Sequence, residues 1–394
     1  MIREKQNNGD VLTWAEIDLK AIKHNIKQLN KLAAANKFIF PSRTGTKKTK
    51  PKPSEILAVI KADAYGHGFE QVALLLEKEG VNFFGVSDIN EGIALRKIGI
   101  EKPILLFETT LASCAKKIID NNLMPTVCTL ELANALNEYA VKKRKIVDIH
   151  VKVDTGMGRL GVWHKEAFEF VGELMKLNRL RIMGIFTHFP AADTDQNFTR
   201  NQIECLYDLV IRLDKSGLII PYIHAANSMG LAGYKTHVLN LVRPGLMLYG
   251  LYPDKSLKGK VDLKPAMSIR SQVIFLKDIE KGRSLSYGRT FFSKNDMTVA
   301  VIPIGYNDGY FRLFSNQASV LIGGERCKVV GRVTMDQIIV DVSSVKKPRI
   351  GMPVVILGKQ GKETISAEEL AGYAKTINYE IVCSLGNRLA RKYL

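Results

Sequence analysis

The sequence predicts an α/β chain, with an N-terminal (β/α)8 barrel of the TIM type followed by a C-terminal mainly-β domain. Three observations predict it: apolar, β-branched runs alternate with helix-patterned stretches as far as Tyr252, eight such runs occur there, and beyond them short runs are broken by turn residues. Alternating strand and helix implies parallel strands with right-handed crossovers, and eight units close a barrel. An open doubly wound sheet is the competing architecture. At 394 residues the chain suffices for two or three domains with a sizeable core.

Taken in order, residues 1–10 are polar and lack the apolar stretch of a secretory signal, and no apolar run is long enough to span a membrane. A cytoplasmic protein is expected. Residues 38–55 form a Pro- and Lys-rich interruption, read as a surface insertion. Strands are expected at 57–61, 81–87, 103–108, 125–129, 148–155, 182–189, 219–227 and 241–245, with helices at 70–80, 131–140, 166–177 and 202–216. These make a barrel domain of 11–252. The second domain, 253–394, carries β-type runs at 271–276, 297–304, 318–322, 327–333, 337–342 and 353–357, then a helix at 367–376.

The net charge of +18, from 57 basic and 39 acidic residues, invites a nucleic-acid reading. The basic clusters at 47–52, 142–145 and 346–349 lie between patterned segments with no interleaved aromatics, and read as solvated surface. Five cysteines stand far apart with no CxxC pair, which points to reduced, mostly buried thiols and no metal site.

In a barrel of this kind, catalytic groups project from the C-terminal ends of strands. The first strand runs into Lys61, within AVIKADAYGHG, where partial desolvation would lower an amine's pKa towards nucleophilic use. The fifth carries Lys152 and leads to Arg159, the sixth ends near His188, the seventh at His224, Asn227 and Ser228, and the eighth at Arg243 and Gly245. Ser228 and Gly245 offer a hydroxyl and a backbone N–H suited to a phosphate, and Tyr65 offers a phenol. Lys152 alternates with Val151 and Val153 on a strand that should be buried, where an ammonium is costly.

These residues together resemble the alanine racemases. The match runs from WAEID at 14–18 through AVIKADAYGHG, VDTGMGRLG, THF, NSMG, VRPGLMLYG, SYGRTF, IPIGYNDGY and GRVTMDQ to NYEIVCS. The resemblance implies an isomerase that interconverts L- and D-alanine on pyridoxal 5'-phosphate and supplies D-alanine for peptidoglycan. It makes Lys61 the residue that carries the cofactor and the base for the D enantiomer, with Tyr287 the base for the L enantiomer. Inversion through a planar carbanion needs a group on each face. A phenol needs cationic or hydrogen-bonding neighbours to act as a base, and His188 resembles that neighbour, with Arg243 reached through His224.

Arg243 also resembles the residue facing the pyridine nitrogen. A guanidinium only donates, so that nitrogen stays unprotonated and is a poorer electron sink, which discourages transamination. By the same resemblance Arg159 and the Met335 backbone hold the substrate carboxylate, Tyr65, Asn227, Ser228, Gly245 and Leu246 hold the cofactor, Tyr306 guards the entrance, and Asp336 supports it. Tyr287, Tyr306 and Met335 come from the other subunit of a head-to-tail homodimer. Lys152 matches a lysine carbamylated in several members, the alternative being an ordinary lysine paired with a nearby acid. Thr334 replaces a common cysteine. Asn387 stands where some members have a pocket-narrowing tyrosine, which leaves room for serine as a substrate. A basic-amino-acid decarboxylase and a non-catalytic cofactor carrier are the other readings of the fold; the former's cysteine and acidic residue are not apparent, and Tyr287 with its β domain counts against the latter.

Overall fold

The computed structural model describes residues 11–38, 52–234, 239–386 and 388–394. The segment 39–51 of the expected insertion and Asn387 lie outside the described residues. Two compact units are distinguished by their packing: the described parts of 22–64 and 69–264 form one, and those of 11–21, 65–68 and 265–394 form the other.

The first unit is the barrel. Its strands are β1 (Glu55–Val59), β2 (Phe83–Val86), β3 (Ile104–Leu106), β4 (Thr126–Val127), β5 (Val147–Asp154), β6 (Leu180–Phe186), β7 (Tyr222–His224) and β8 (Leu241–Val242). Parallel ladders join β8, β1, β2 and β3 in one run and β4, β5, β6 and β7 in another. Two seams close them. One is a parallel bridge from Leu105 to Met124. At the other, Asn240 extends β8: its N–H donates to the Ile223 carbonyl at 3.1 Å and its Oδ1 accepts from the Ile223 N–H at 2.7 Å.

Strands β1, β2 and β3 are almost wholly buried and read as near-continuous apolar runs, as parallel strands covered on both faces do, whereas β5 is buried but alternates apolar with polar residues. Helices α1 (Phe69–Lys78), α2 (Ile89–Lys97), α3 (Ala115–Asp120), α4 (Leu130–Lys143), α5 (Ala167–Leu174), α6 (Gln196–Lys215) and α7 (Ser228–Gly233) alternate with them. Several open on a side-chain cap within three residues of a strand: Asp88 accepts from Asn90 and Glu91, Thr129 from Leu132, and Asn227 from Gly230. Capped turns therefore gather at the C-terminal ends of the strands.

The second unit is mainly β. Strands β9 (Met267–Gln272), β10 (Phe275–Ile279), β11 (Met297–Ile302), β12 (Ser319–Ile322), β13 (Glu325–Lys328), β14 (Ile338–Asp341), β15 (Pro353–Gln360), β16 (Glu363–Ile365) and β17 (Ala390–Tyr393) are joined by helices α8 (Ala367–Ala374) and α9 (Asn378–Cys383). Its larger sheet includes an N-terminal strand, Trp14–Ile17, which pairs antiparallel with β9 and parallel with β17. Residues 14–17 thus join this sheet although the sequence reading puts the barrel domain at 11–252. Their side chains alternate between half-buried and buried, which suits the face of a mixed sheet better than a barrel wall. The cysteines also differ from expectation: only Cys327 is buried, Cys383 is exposed and the other three are intermediate.

Candidate active site

Lys61 follows β1 directly, where the Ile60 N–H still pairs with the Gly85 carbonyl at 3.0 Å. The chain then turns left-handed, with Ala62, Asp63 and Ala64 at φ/ψ of 53/55, 53/45 and 54/50, and Tyr65 at φ 54. For L-residues this costs about 1–2 kcal/mol each, so something must hold the turn. Glu91 on α2 does so from outside: its carboxylate accepts from the Ala62 N–H at 2.7 Å and from the Ser87 N–H at 2.7 Å. Asp63 accepts from the Phe69 N–H at 2.9 Å. A half-buried lysine is thereby presented from a stiff, strained turn.

Residues 65–68 belong to the second unit. Gly66, at φ 78, leaves no room for a Cβ against the Val382 carbonyl. The Tyr65 ring sits 6.1 Å from that of Tyr379, and burial, reinforced by Tyr379 and Cys383, pushes its phenol well above the ordinary range. Tyr65 therefore stays protonated and can donate.

In the barrel, Arg243 is 4% exposed and is the hub of the polar network. Its Nη1 donates to His224 Nδ1 at 2.8 Å. Its Nη2 donates to the Thr187 and Ala225 carbonyls, both at 2.9 Å, and lies 3.3 Å from His188 Nδ1. The sequence reading runs this chain to His188 by way of His224; the geometry gives Arg243 direct contact with both. Its Nε–H has no acceptor among the described residues.

Because Arg243 only donates, each histidine Nδ1 it faces must be an unprotonated acceptor, which leaves the proton on Nε2. His224 Nε2 then donates to His150 Nδ1 at 2.8 Å, and His150 Nε2 finds no partner among the described residues. Gly184 makes space for this ring, since a Cβ there would run into the His150 imidazole. Burial, then the charge of Arg243, holds His188 and His224 well below the ordinary histidine value and His150 at about 3. All three are neutral at physiological pH. Burial also draws Arg243 down to about 9, which leaves it charged.

Lys152 lies on β5 at 5% exposure, its amine 4.5 Å above the Phe186 ring. Burial, then the charge of Arg243, then that of Arg159, hold its pKa well below the usual lysine value. The acid partner envisaged as its alternative is not within ion-pair distance among the described residues; Asp154, whose charge acts on it, instead accepts from the backbone of Gly156 and Gly158. Arg159 is exposed.

At the ends of β7 and β8, Ser228 Oγ accepts from the N–H groups of Gly245 at 3.1 Å and Met247 at 3.4 Å, around Leu246. Its own O–H is left to donate. Asn227 caps α7 through Gly230 at 2.9 Å.

The remaining expected residues lie together on the second unit. Tyr306 N–H donates to the Thr334 carbonyl at 3.0 Å, and Asn307 N–H to the Met335 carbonyl at 3.1 Å. Arg388 joins the two loops, reaching Asp308 at 2.7 Å and Asp336 at 2.6 Å. Tyr287 follows Ser286, held at φ 62 by a 2.6 Å bond to the Arg332 carbonyl. Tyr287 is 73% exposed, Met335 53% and Tyr306 45%.

Five supporting residues escaped the sequence reading: Glu91, His150, Gln202, Asp308 and Arg388. Two carried a signal: Gln202, a polar residue at helical spacing among the buried Thr199, Leu206, Leu209 and Leu213, and His150, a polar residue between the buried Ile149 and Val151.

Two family models match this chain, "Alanine racemase, N-terminal domain" over residues 43–253 and "Alanine racemase, C-terminal domain" over residues 266–393.

The chain belongs to the alanine racemase family.

It is 38% identical to the alanine racemase of Halothermothrix orenii across 97% of this chain and 96% of that one. Among solved structures, the alanine racemase of Clostridium difficile 630 is 36% identical with a TM-score of 0.88, covering 98% of this chain and 96% of the other. The Bartonella henselae alanine racemase, described with covalently bound pyridoxal phosphate, is 27% identical with a TM-score of 0.82, covering 98% and 100%. This chain thus has two half-sets of polar groups, one at the ends of barrel strands and one on the β-rich unit.

Proposed function

We propose that this alanine racemase moves the Cα proton of alanine between two faces with Lys61 and Tyr287 as opposed bases, the tyrosine coming from the second subunit of a homodimer. The barrel residues fit pyridoxal 5'-phosphate. Lys61 offers an amine on a stiff turn, Ser228 with the Gly245–Met247 backbone offers a phosphate cradle, and Arg243 keeps its Nε–H for an aromatic nitrogen. When bound, the cofactor acidifies the Cα–H of the amino acid attached to it.

Arg243 carries the reading. Every contact it makes is as a donor, so a ring nitrogen facing it stays unprotonated and charge remains close to Cα. That favours return of the proton to Cα over its loss elsewhere. His188 Nδ1, facing Arg243 Nη2 at 3.3 Å on the longer branch of a shared hydrogen bond, accepts there and so presents Nε2–H as a neutral donor for the Tyr287 oxygen. Arg159 holds the substrate carboxylate with the Met335 backbone, Tyr65 donates to the phosphate, and Tyr306 and Asp336 frame the entrance.

Lys152, whose pKa is held down by burial and by Arg243 and Arg159, adds carbon dioxide as its neutral amine to become a carbamate, releasing one proton. The anion then holds Arg159. The high exposure of Tyr287 and Met335 on one chain supports their use by a partner. Two working domains, a barrel up to residue 252 and a β-rich domain over 253–394 that the strand Trp14–Ile17 joins, cytoplasmic location and delivery of D-alanine to peptidoglycan synthesis complete the reading; the five free thiols support a reducing compartment.

The test is Tyr287→Phe. Racemisation should fall by roughly 100- to 10,000-fold, the range of a lost general base, while the purified variant keeps its bound cofactor and its absorption band. Wild-type rates in both directions would remove Tyr287 from the reaction.

A further inference from the structure

We propose that Gln202 is a positioning residue for proton transfer on the Tyr287 face, acting through His188; the proposal rests on the two-base reading above. Gln202 lies on the inner stripe of α6 at 1% exposure. Its Nε2 donates to the His188 carbonyl at 3.1 Å and to Thr155 Oγ1 at 3.1 Å. The carbonyl can only accept, which fixes the orientation of the amide. Thr155 Oγ1 also lies 2.7 Å from Thr187 Oγ1, a bond in which either hydroxyl can donate.

The other end of the amide is unsatisfied. Gln202 Oε1 is buried with no partner among the described residues, a standing cost that leucine in the same stripe would avoid. Stability therefore does not account for a glutamine here. What it does hold is the backbone of 187–188 from the helix side, while Arg243 holds the same two residues from the barrel interior through the Thr187 carbonyl and His188 Nδ1. The direction in which His188 Nε2–H points is set by both grips. Release of the helix-side grip lets the peptide turn and misaims that donor.

Gln202→Leu, with Gln202→Met as a second variant of similar shape, tests this in the cofactor-loaded enzyme. Cofactor affinity and KM should stay within about two-fold, while kcat falls roughly 10- to 100-fold, the scale of a small misplacement of a reacting group. Because the equilibrium constant between enantiomers fixes the ratio of kcat/KM in the two directions, the diagnostic is the isotope effect. Deuterium at Cα of L-alanine should give a larger effect than in wild type, since abstraction by Tyr287 becomes more limiting. Deuterium on D-alanine should give a smaller one.

NMR of labelled histidine should show the His188 ring nitrogens shifted and those of His224 unmoved. Isotope effects unchanged in both directions, whether or not the rate falls, would overturn the proposal, as would an undisturbed His188 signal. Failure of the two-base reading itself appears separately, as full activity in Tyr287→Phe with Gln202 intact.

Discussion

Burial and the charges of Arg243 and Arg159 all act against a proton on Lys152, although all three side chains would be cations in water. Together they hold its pKa well below the usual lysine value and so favour the neutral amine, the form that adds carbon dioxide. The account predicts that enzyme equilibrated with isotope-labelled carbon dioxide shows a carbamate signal in carbon NMR that Lys152→Ala lacks. Absence of that signal in the wild type would leave Lys152 a plain amine. Sequence showed this position because a lysine between two buried valines is an anomaly of local pattern. Lys61, Ser228 and Arg243 were legible for a similar reason, as polar residues ending apolar strands. Gln202 and Glu91 were not read, since their roles depend on which distant backbone groups their side chains reach.

At the scale of elements, the barrel strands were legible as β-branched runs, though the ladders are shorter than those runs. β4 pairs only over Thr126–Val127 and β8 over Leu241–Val242, the flanking residues having already left for loops. The left-handed turn after Lys61 left no sequence trace, because Ala-Asp-Ala favours a right-handed helix and only tertiary contacts reverse it. Glu91 supplies two of those contacts. An amide in place of its carboxylate keeps a single acceptor oxygen, so Glu91→Gln should lose about 1–3 kcal/mol of stability from one orphaned backbone N–H and one weakened bond, and should loosen cofactor binding as well. Denaturant unfolding and cofactor titration measure the two effects; a variant matching wild type in both would show that the turn holds without Glu91.

On the scale of the whole molecule, the alternation of strand and helix revealed the barrel, and the change of rhythm after Tyr252 revealed the β-rich unit. What they did not reveal is that the chain's first described strand belongs to that second unit. Trp14 pairs with Arg270 and Ala390, and a strand of four residues carries no mark of partners so far along the chain. The half-sets of site residues follow the same division: Lys61, Arg243 and Ser228 stand in the barrel unit, and Tyr287, Tyr306 and Met335 in the other.

The most direct test of sharing between subunits is complementation. A purified hybrid dimer, one chain carrying Lys61→Ala and the other Tyr287→Phe, contains one doubly defective site and one intact site if each barrel takes its tyrosine from its partner. Its turnover should then be about half that of wild type per dimer, although each variant alone is nearly inactive. A hybrid no more active than its parents would mean that Lys61 and Tyr287 serve the same chain's site, and would contradict the account.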